Sequence, residues 1–291
     1  MSMKLFIFTE GGPGIGLGHF ARCSALYDEA QKQGMDVTLV VNKAARELGI
    51  LVNKNVMYSD WQNSLKNFDI EDSYCIVDSY IANLEVYKRI SRESKRALYF
   101  DDENRLVYPE GMLLNAQVTK KYQDIESLIG LEYALVREAF VSAKKQVTKE
   151  KIGKIMVSLG ADLHGIREKI VKALVGYDIV MPSGLSDIEM ANLIKECDLG
   201  VIPASQTALE FCAVGTPFVC IKTATNQDLT WLIKNNIISE EIFYDDDNME
   251  EKVLAQIKEL SPHKVREEKR LLLQSLIPQD SAERIIERLT R

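Results

Sequence analysis

Apolar and polar positions follow one rhythm through the first half of this chain. Short apolar runs at 5–8, 37–41, 74–77, 97–100 and 112–114 read as buried strands. Polar stretches with helical spacing fit between them, near 19–33, 44–48, 61–67 and 84–94. In the first of these, Phe20, Cys23, Tyr27 and Ala30 share one face and Gly34 is the stop. Residues 130–140 carry no strand pattern, and the polar run 142–154 reads as a link. A second alternating set follows, with strands at 155–159, 178–181, 199–202 and 218–221 and helices at 165–175, 187–196, 206–213 and 228–235. The end, 262–291, is helical and charged, and Pro278 breaks it in two. The pattern predicts an α/β fold of two Rossmann-like domains with parallel sheets. The expected divisions are 1–141, a linker 142–154, 155–261, and C-terminal helices 262–291.

Bulk properties narrow the classes. With 291 residues, 46% of them hydrophobic, the chain can bury a core in each half. No apolar run approaches membrane-spanning length, and residues 1–4 lead straight into a strand without signal-peptide anatomy, so a cytoplasmic protein is expected. The five cysteines stand singly in apolar segments with no C-x-x-C pair, which reads as buried reduced thiols. Net charge is −7 with no basic block, which argues against nucleic acid as a partner.

The richest stretch is Gly11-Gly12-Pro13-Gly14-Ile15-Gly16-Leu17-Gly18-His19, between the first strand and the first helix. Such a turn brings backbone N–H groups close to a ligand, and a helix N-terminus favours anions. His19, on the helix's first turn, can handle protons near neutral pH. Gly16-x-Gly18-x-x-Ala21 also fits a dinucleotide fingerprint. That fingerprint expects an acid at the end of the second strand, where this chain has Asn42 and Lys43, so NAD is disfavoured. No Gly-Lys-Ser/Thr follows, which excludes a P-loop. A tight turn with a capping histidine stays open.

Ligands of open α/β sheets sit outside the carboxyl ends of the strands. The turns there hold Asp78-Ser79-Tyr80, Asp101-Asp102-Glu103, Gly160-Ala161-Asp162, Pro203-Ala204-Ser205-Gln206-Thr207, and the run from Lys222 to Gln227. Asp78 and Asp101 read equally as simple acceptors of backbone N–H bonds. The acidic triplet could suggest a divalent metal, but adjacent carboxylates at a strand end point different ways, so no metal site is assigned. Ser205 reads as an N-cap whose neighbouring N–H groups, with Gln206 and Thr207, could meet a pyrophosphate. Glu210, one turn on, could grip two ribose hydroxyls or be a buried acid near the helix start. His164 and His263 read as surface residues.

Gly16-Leu17-Gly18-His19-x-x-Arg22 resembles the G-x-G-H-x-x-R signature of the PseG-like nucleotide-sugar hydrolases of the pseudaminic-acid pathway, a branch of the two-domain GT-B architecture. Val77-Asp78-Ser79-Tyr80, Phe100-Asp101-Asp102-Glu103, Leu113-Leu114-Asn115 and Tyr133-Ala134-Leu135-Val136-Arg137-Glu138-x-Phe140 are similar to that family's segments, in order. Ala204-Ser205 with Glu210, then Asn226-Gln227 with Trp231-Leu232, continue the match, which covers most of residues 4–235. The chain departs in one place. Between the Gly160 turn and the strand ending near Met181 only one helix and Gly176-Tyr177 intervene, so the second domain is shorter by about one strand–helix unit.

The resemblance implies two domains facing across a cleft and water displacing a nucleoside diphosphate, most readily UDP, from the anomeric carbon of an amino sugar. It implies no cofactor, since the nucleotide is already a good leaving group. His19 matches the family's base. Gly16, Gly18, Arg22, Asp78, Tyr80 and Asn226 fall at substrate contacts, with Arg22 alternatively an ion-pair partner of Asp101 or Asp102. Gly160, Ser205, Gln206, Thr207 and Glu210 fall on the nucleotide. A GT-B glycosyltransferase with a UDP-sugar donor, and a nucleotide-sugar-binding protein without turnover, are the alternatives.

Overall fold

The computed structural model describes residues 2–12, 15–48, 54–102, 104–116, 124–160, 162, 164–224 and 227–291. The chain divides into two compact units, Met1–Leu135 with Pro278–Arg291, and Val136–Ile277.

The first unit runs β1 (Lys4–Thr9), α1 (Gly18–Lys32), β2 (Asp36–Val41), a 3₁₀ turn (Lys43–Leu48), β3 (Val56–Tyr58), α2 (Trp61–Ser64), β4 (Tyr74–Asp78), α3 (Leu84–Glu93), β5 (Arg96–Phe100), β6 (Met112–Asn115) and β7 (Glu126–Ile129). Its strands are parallel and ordered β3-β2-β1-β4-β5-β6-β7. Both faces are covered, which is why β4 reads as an unbroken buried run. Leu5 and Ile7 enter a cluster with Phe20, Leu26 and Tyr27 of α1. Phe8 points the other way, into a cluster with Trp61, Tyr87 and Ile90.

In the second unit, α4 (Glu138–Ser142) precedes β8 (Lys154–Val157), α5 (Arg167–Ala173), β9 (Asp178–Val180), α6 (Asp187–Glu196), β10 (Leu199–Pro203) and α7 (Gln206–Val214). Then come β11 (Phe218–Lys222), α8 (Thr230–Lys234), β12 (Ile242–Phe243), α9 (Met249–Glu259) and α10 (His263–Leu276). The sheet is parallel, ordered β12-β11-β10-β8-β9. The last helix, α11 (Ser281–Thr290), follows Pro278 and returns to the first unit. Its Ile285, Ile286 and Leu289 are fully buried in the α1 cluster. Each such side chain contributes about 1.5–3 kcal/mol of transfer free energy. Tyr74 Oη donates to the Thr290 carbonyl (3.2 Å) and Arg96 Nη1 to the Arg288 carbonyl (2.9 Å), so the helix end is tied to the sheet.

All five cysteines are buried and unpaired. Among the described residues no helix is long and apolar enough to cross a membrane, and no group of three or more His, Cys, Asp or Glu could hold a metal.

Candidate functional site

Strand order marks where to look. In the first sheet the chain winds outward in opposite directions from β1 and β4, so the switch point lies between them. Thr9 and Asp78 are in register there, and the Gly11–Gly18 loop and the Asp78-Ser79-Tyr80 turn leave side by side. In the second sheet the switch lies between β8 and β10, whose carboxyl ends lead to Gly160 and to Ser205. Crevices outside such points are the favoured ligand sites of open α/β sheets.

The glycine loop closes on itself. Gly12 N–H donates to the Gly16 carbonyl (3.1 Å) and Gly16 N–H returns to the Gly12 carbonyl (2.9 Å). Gly16 holds φ +88°, a conformation an L side chain adopts at a cost of roughly 1–2 kcal/mol. A Cβ on Gly11 would stand 2.5 Å from Cζ of Phe20, so the ring packs where only glycine leaves room. Asn42, at the end of β2, accepts the Gly11 N–H (2.9 Å) and donates to its carbonyl (3.1 Å). The position where a dinucleotide fold keeps its ribose-binding acid is thus a clamp on the loop.

His19 follows on the first turn of α1 and is 4% exposed. Its Nδ1 lies 2.6 Å from Asp78 Oδ1. An ionised carboxylate can only accept, so Nδ1 carries a proton, and in the neutral imidazole the lone pair is then on Nε2. Nε2 has no hydrogen-bond partner among the described residues and is not one of the sealed, unsatisfied atoms. The Tyr80 ring and the imidazole meet in a T-shaped contact, 4.6 Å between centroids and 79° between planes, which fixes the tilt of the imidazole.

Arg22, one turn on, lies between two carboxylates. Nε and Nη2 donate to Asp78 (2.6 and 2.5 Å), and Nη1 and Nη2 to Asp102 (2.9 and 2.8 Å). Its guanidinium also covers the Phe100 ring at 4.5 Å. Of the two roles open to Arg22 from sequence, the ion pair is the one formed. Burial alone would raise the Asp78 carboxyl, but Arg22 and then His19 hold it well below the usual carboxylate range. Burial opposes the charge of Asp102 as well, and Arg22 again outweighs it and lowers the value. Tyr80 Oη donates to Asp102 Oδ2 (2.6 Å). Burial and then Asp102 push this phenol far up, so it remains a donor.

Sequence reasoning passed over Glu10. It directly follows β1, is fully buried, and accepts from Ser79 Oγ (2.5 Å), Tyr80 N–H (2.7 Å), Ile81 N–H (3.3 Å) and Gln62 Nε2 (3.2 Å). The turn that carries Tyr80 therefore hangs on one carboxylate. An acid ending an apolar strand beside a glycine loop was the available signal. Gly16 is exposed at the loop, and Gly18 opens α1.

In the second unit, Ser205 caps α7, its Oγ accepting the Thr207 N–H at 3.4 Å. Gln206 and Thr207 begin that helix and are half-buried. Gly160 follows β8 in an exposed turn, and its carbonyl accepts from Arg167 Nη2 (2.8 Å). Glu210, 4% exposed, is paired with Arg137 Nη2 at 2.6 Å through Oε1. Oε2 has no hydrogen-bond partner among the described residues. Burial raises this carboxyl, and Arg137 opposes the rise. His164, exposed as expected, stacks on Tyr244 at 3.7 Å. Asn226 lies outside the described residues, as do Pro13, Gly14, Glu103 and Ala161.

No protein-family model matches the chain. It is 24% identical over 242 residues to the pseudaminic acid cytidylyltransferase and UDP-2,4-diacetamido-2,4,6-trideoxy-beta-L-altropyranose hydrolase of Helicobacter pylori, covering 73% of this chain and 43% of that protein. The chain thus spans less than half the length of this relative. Among solved structures, MurG of Acinetobacter baumannii superposes with a TM-score of 0.65 at 13% identity, covering 99% of each chain. The glycosyltransferase SsfS6 of Streptomyces sp. SF2575, solved with thymidine diphosphate, gives 0.59 at 10% identity, covering 98% of this chain and 99% of that one. The chain has the GT-B architecture of two Rossmann-like domains, and it is similar to the PseG-like UDP-sugar hydrolases that its motifs resemble.

Proposed function

We propose that this protein hydrolyses a nucleotide-activated amino sugar at its anomeric carbon and releases a nucleoside diphosphate, most readily UDP, in nonulosonic-acid or related surface-polysaccharide synthesis. One observation carries the reading. At a switch point, a histidine has its Nδ1 held by a buried carboxylate and its Nε2 unengaged. That is the state a general base needs before it takes a proton. Water attacks the anomeric carbon, its proton passes to Nε2, and the bond to the diphosphate oxygen breaks with its electron pair leaving on the nucleotide. Asp78 steadies the imidazolium that forms, and Tyr80 keeps the ring's tilt. In the second unit, N–H groups at the start of α7 and the turn at Gly160 meet the diphosphate, and Glu210 takes the ribose. The similarity to a protein named as a UDP-sugar hydrolase, and the nucleoside diphosphate in a structural neighbour, support this reading.

The test is UDP release from a UDP-linked amino sugar without any acceptor. Steady release, reduced at least a hundredfold in His19→Asn with UDP affinity kept, is the expected outcome. Release that depends wholly on an added acceptor would favour a transferase.

A further inference from the structure

Arg137 belongs to a segment singled out by sequence to which the proposed reaction gives no work. It is the N-cap residue of α4. Its Nη2 holds Glu210 Oε1 at 2.6 Å, and its Nη1 reaches Asp187 Oδ1 in the first turn of α6. Its guanidinium lies over the Phe140 ring at 4.7 Å, which fixes the plane of the fork. One cation thus joins the starts of α4 and α6 to a buried acid on α7.

We propose that Arg137 is the positioning residue of the nucleotide site: it pins one oxygen of Glu210 and balances its charge, so that the other oxygen stays ionised for the paired hydroxyls of a ribose. The inference rests on the assignment of Glu210 to the ribose. The geometry explains how such an acid functions. A carboxylate that is 4% exposed protonates unless a cation stands beside it, and a protonated acid loses acceptor capacity. A bidentate pair with Arg137 would occupy both oxygens, whereas the observed single contact leaves Oε2 available. Asp187 opposes this by adding a second negative charge, and it shares the same cation. Of the other elements packed on α7, β10 carries no charged side chain. From α10, Arg270 and Gln274 engage Glu267 and the Lys145 and Val214 carbonyls. Arg137 is therefore the cation facing Glu210 among the described residues.

UDP affinity of the full chain, measured by calorimetry from pH 5.5 to 9, tests this. The β-phosphate of UDP titrates in the same range, so the informative quantity is the ratio of wild-type to variant affinity. In Arg137→Gln the ratio should reach about tenfold or more at the acid end, one pKa unit of displaced Glu210 protonation, and fall toward one at pH 9. Arg137→Lys keeps the charge and should lose a few-fold in affinity at every pH. With 2′,3′-dideoxyuridine diphosphate the ratio for Arg137→Gln should stay near one throughout. A ratio independent of pH, or one that persists with the dideoxy nucleotide, overturns the role of Arg137 while leaving Glu210 in place. Failure of wild-type protein to bind UDP overturns the nucleotide assignment itself, and the proposal with it.

Discussion

Asp78→Asn replaces one oxygen by an amino group at the most heavily engaged side chain of the His19 cluster. Asp78 accepts from His19 Nδ1, twice from Arg22, and from Cys23 Sγ at 3.6 Å, and it is 1% exposed. Each of its oxygens faces an Arg22 N–H, and a guanidinium has no acceptor. Either orientation of the amide therefore sets donor against donor. The milder choice leaves the amide oxygen on Arg22 Nε and turns the NH₂ toward His19. Nδ1 must then accept, which moves the ring proton to Nε2 and removes the lone pair that would take a proton from water.

Two magnitudes follow. Losing one member of a buried, hydrogen-bonded ion pair costs about 3–5 kcal/mol of stability, moderated here because Asp102 still holds Arg22. A histidine base held in the wrong tautomer by Asp-to-Asn replacement loses on the order of 10⁴-fold in kcat. The assay is single-turnover UDP release at saturating nucleotide sugar, with urea denaturation and UDP titration on the same preparation. The expected variant is folded, binds UDP within a few-fold of wild type, and turns over about 10³–10⁴ times more slowly. A folded variant with kcat within tenfold of wild type would refute the tautomer argument and the assignment of Nε2 as base.

Glu10→Ala removes the acceptor of three donors in the Ser79–Ile81 turn and of Gln62 Nε2, so kcat should fall more than tenfold through the displaced Tyr80 while UDP affinity holds, with Glu10→Gln partly restoring it; steady-state kinetics beside UDP titration checks this. Gly11→Ala places a methyl 2.5 Å from the Phe20 ring and should destabilise by about 1–3 kcal/mol, read as a lower urea midpoint with unchanged slope. Asp78 and Asp102 both lie below the ordinary carboxylate range in the folded chain, so the stability they give is complete above the unfolded value of about 3.9 and disappears as pH falls toward the folded values. Urea titrations between pH 2 and 6 should show this acid limb, flatter in Asp102→Asn.

Long, fully buried strands were legible in the sequence because parallel sheets covered on both faces demand unbroken apolar runs. Residues 74–77 and 97–100 fall within β4 and β5 for that reason. The strands passed over are short or partly wet. Residues Val56–Tyr58 and Glu126–Ile129 sit at the two edges of the first sheet, and Ile242–Phe243 edges the second. Helix α9 opens with Glu250 and Glu251, and it buries only Met249, Val253, Gln256 and Ile257, so its apolar stripe is thin. The tail was legible as helix with a break at Pro278, but not the return of α11 to α1, which depends on pairing across more than 200 residues. In the site, His19, Arg22, Asp78 and Tyr80 were named from motifs, and the structure brings them into one cluster. Glu10 escaped, and Arg137 was quoted in a motif without a role, because their roles lie in what they hold, and spacing along a chain does not reveal partners 70 or 73 residues away.

The charge around His19 constrains how labour is divided in the proposed reaction. Arg22 is matched by two carboxylates, so with a neutral imidazole the four groups carry a net single negative charge. Such a cluster suits the proton-accepting half of the chemistry, because an imidazolium forming beside Asp78 is stabilised as it appears. It is a poor host for a departing diphosphate, whose charge it repels. The diphosphate must then be met by groups that add positive potential without a titrating partner. Backbone N–H groups at the first turn of α7 are of that kind. The two halves of the reaction should therefore separate under mutation. Changes at His19 or Asp78 should act on turnover, and changes at Ser205 or Glu210 on affinity. A variant of Glu210 that lost turnover while keeping full UDP affinity would mean that the acid of α7 takes part in the chemical step.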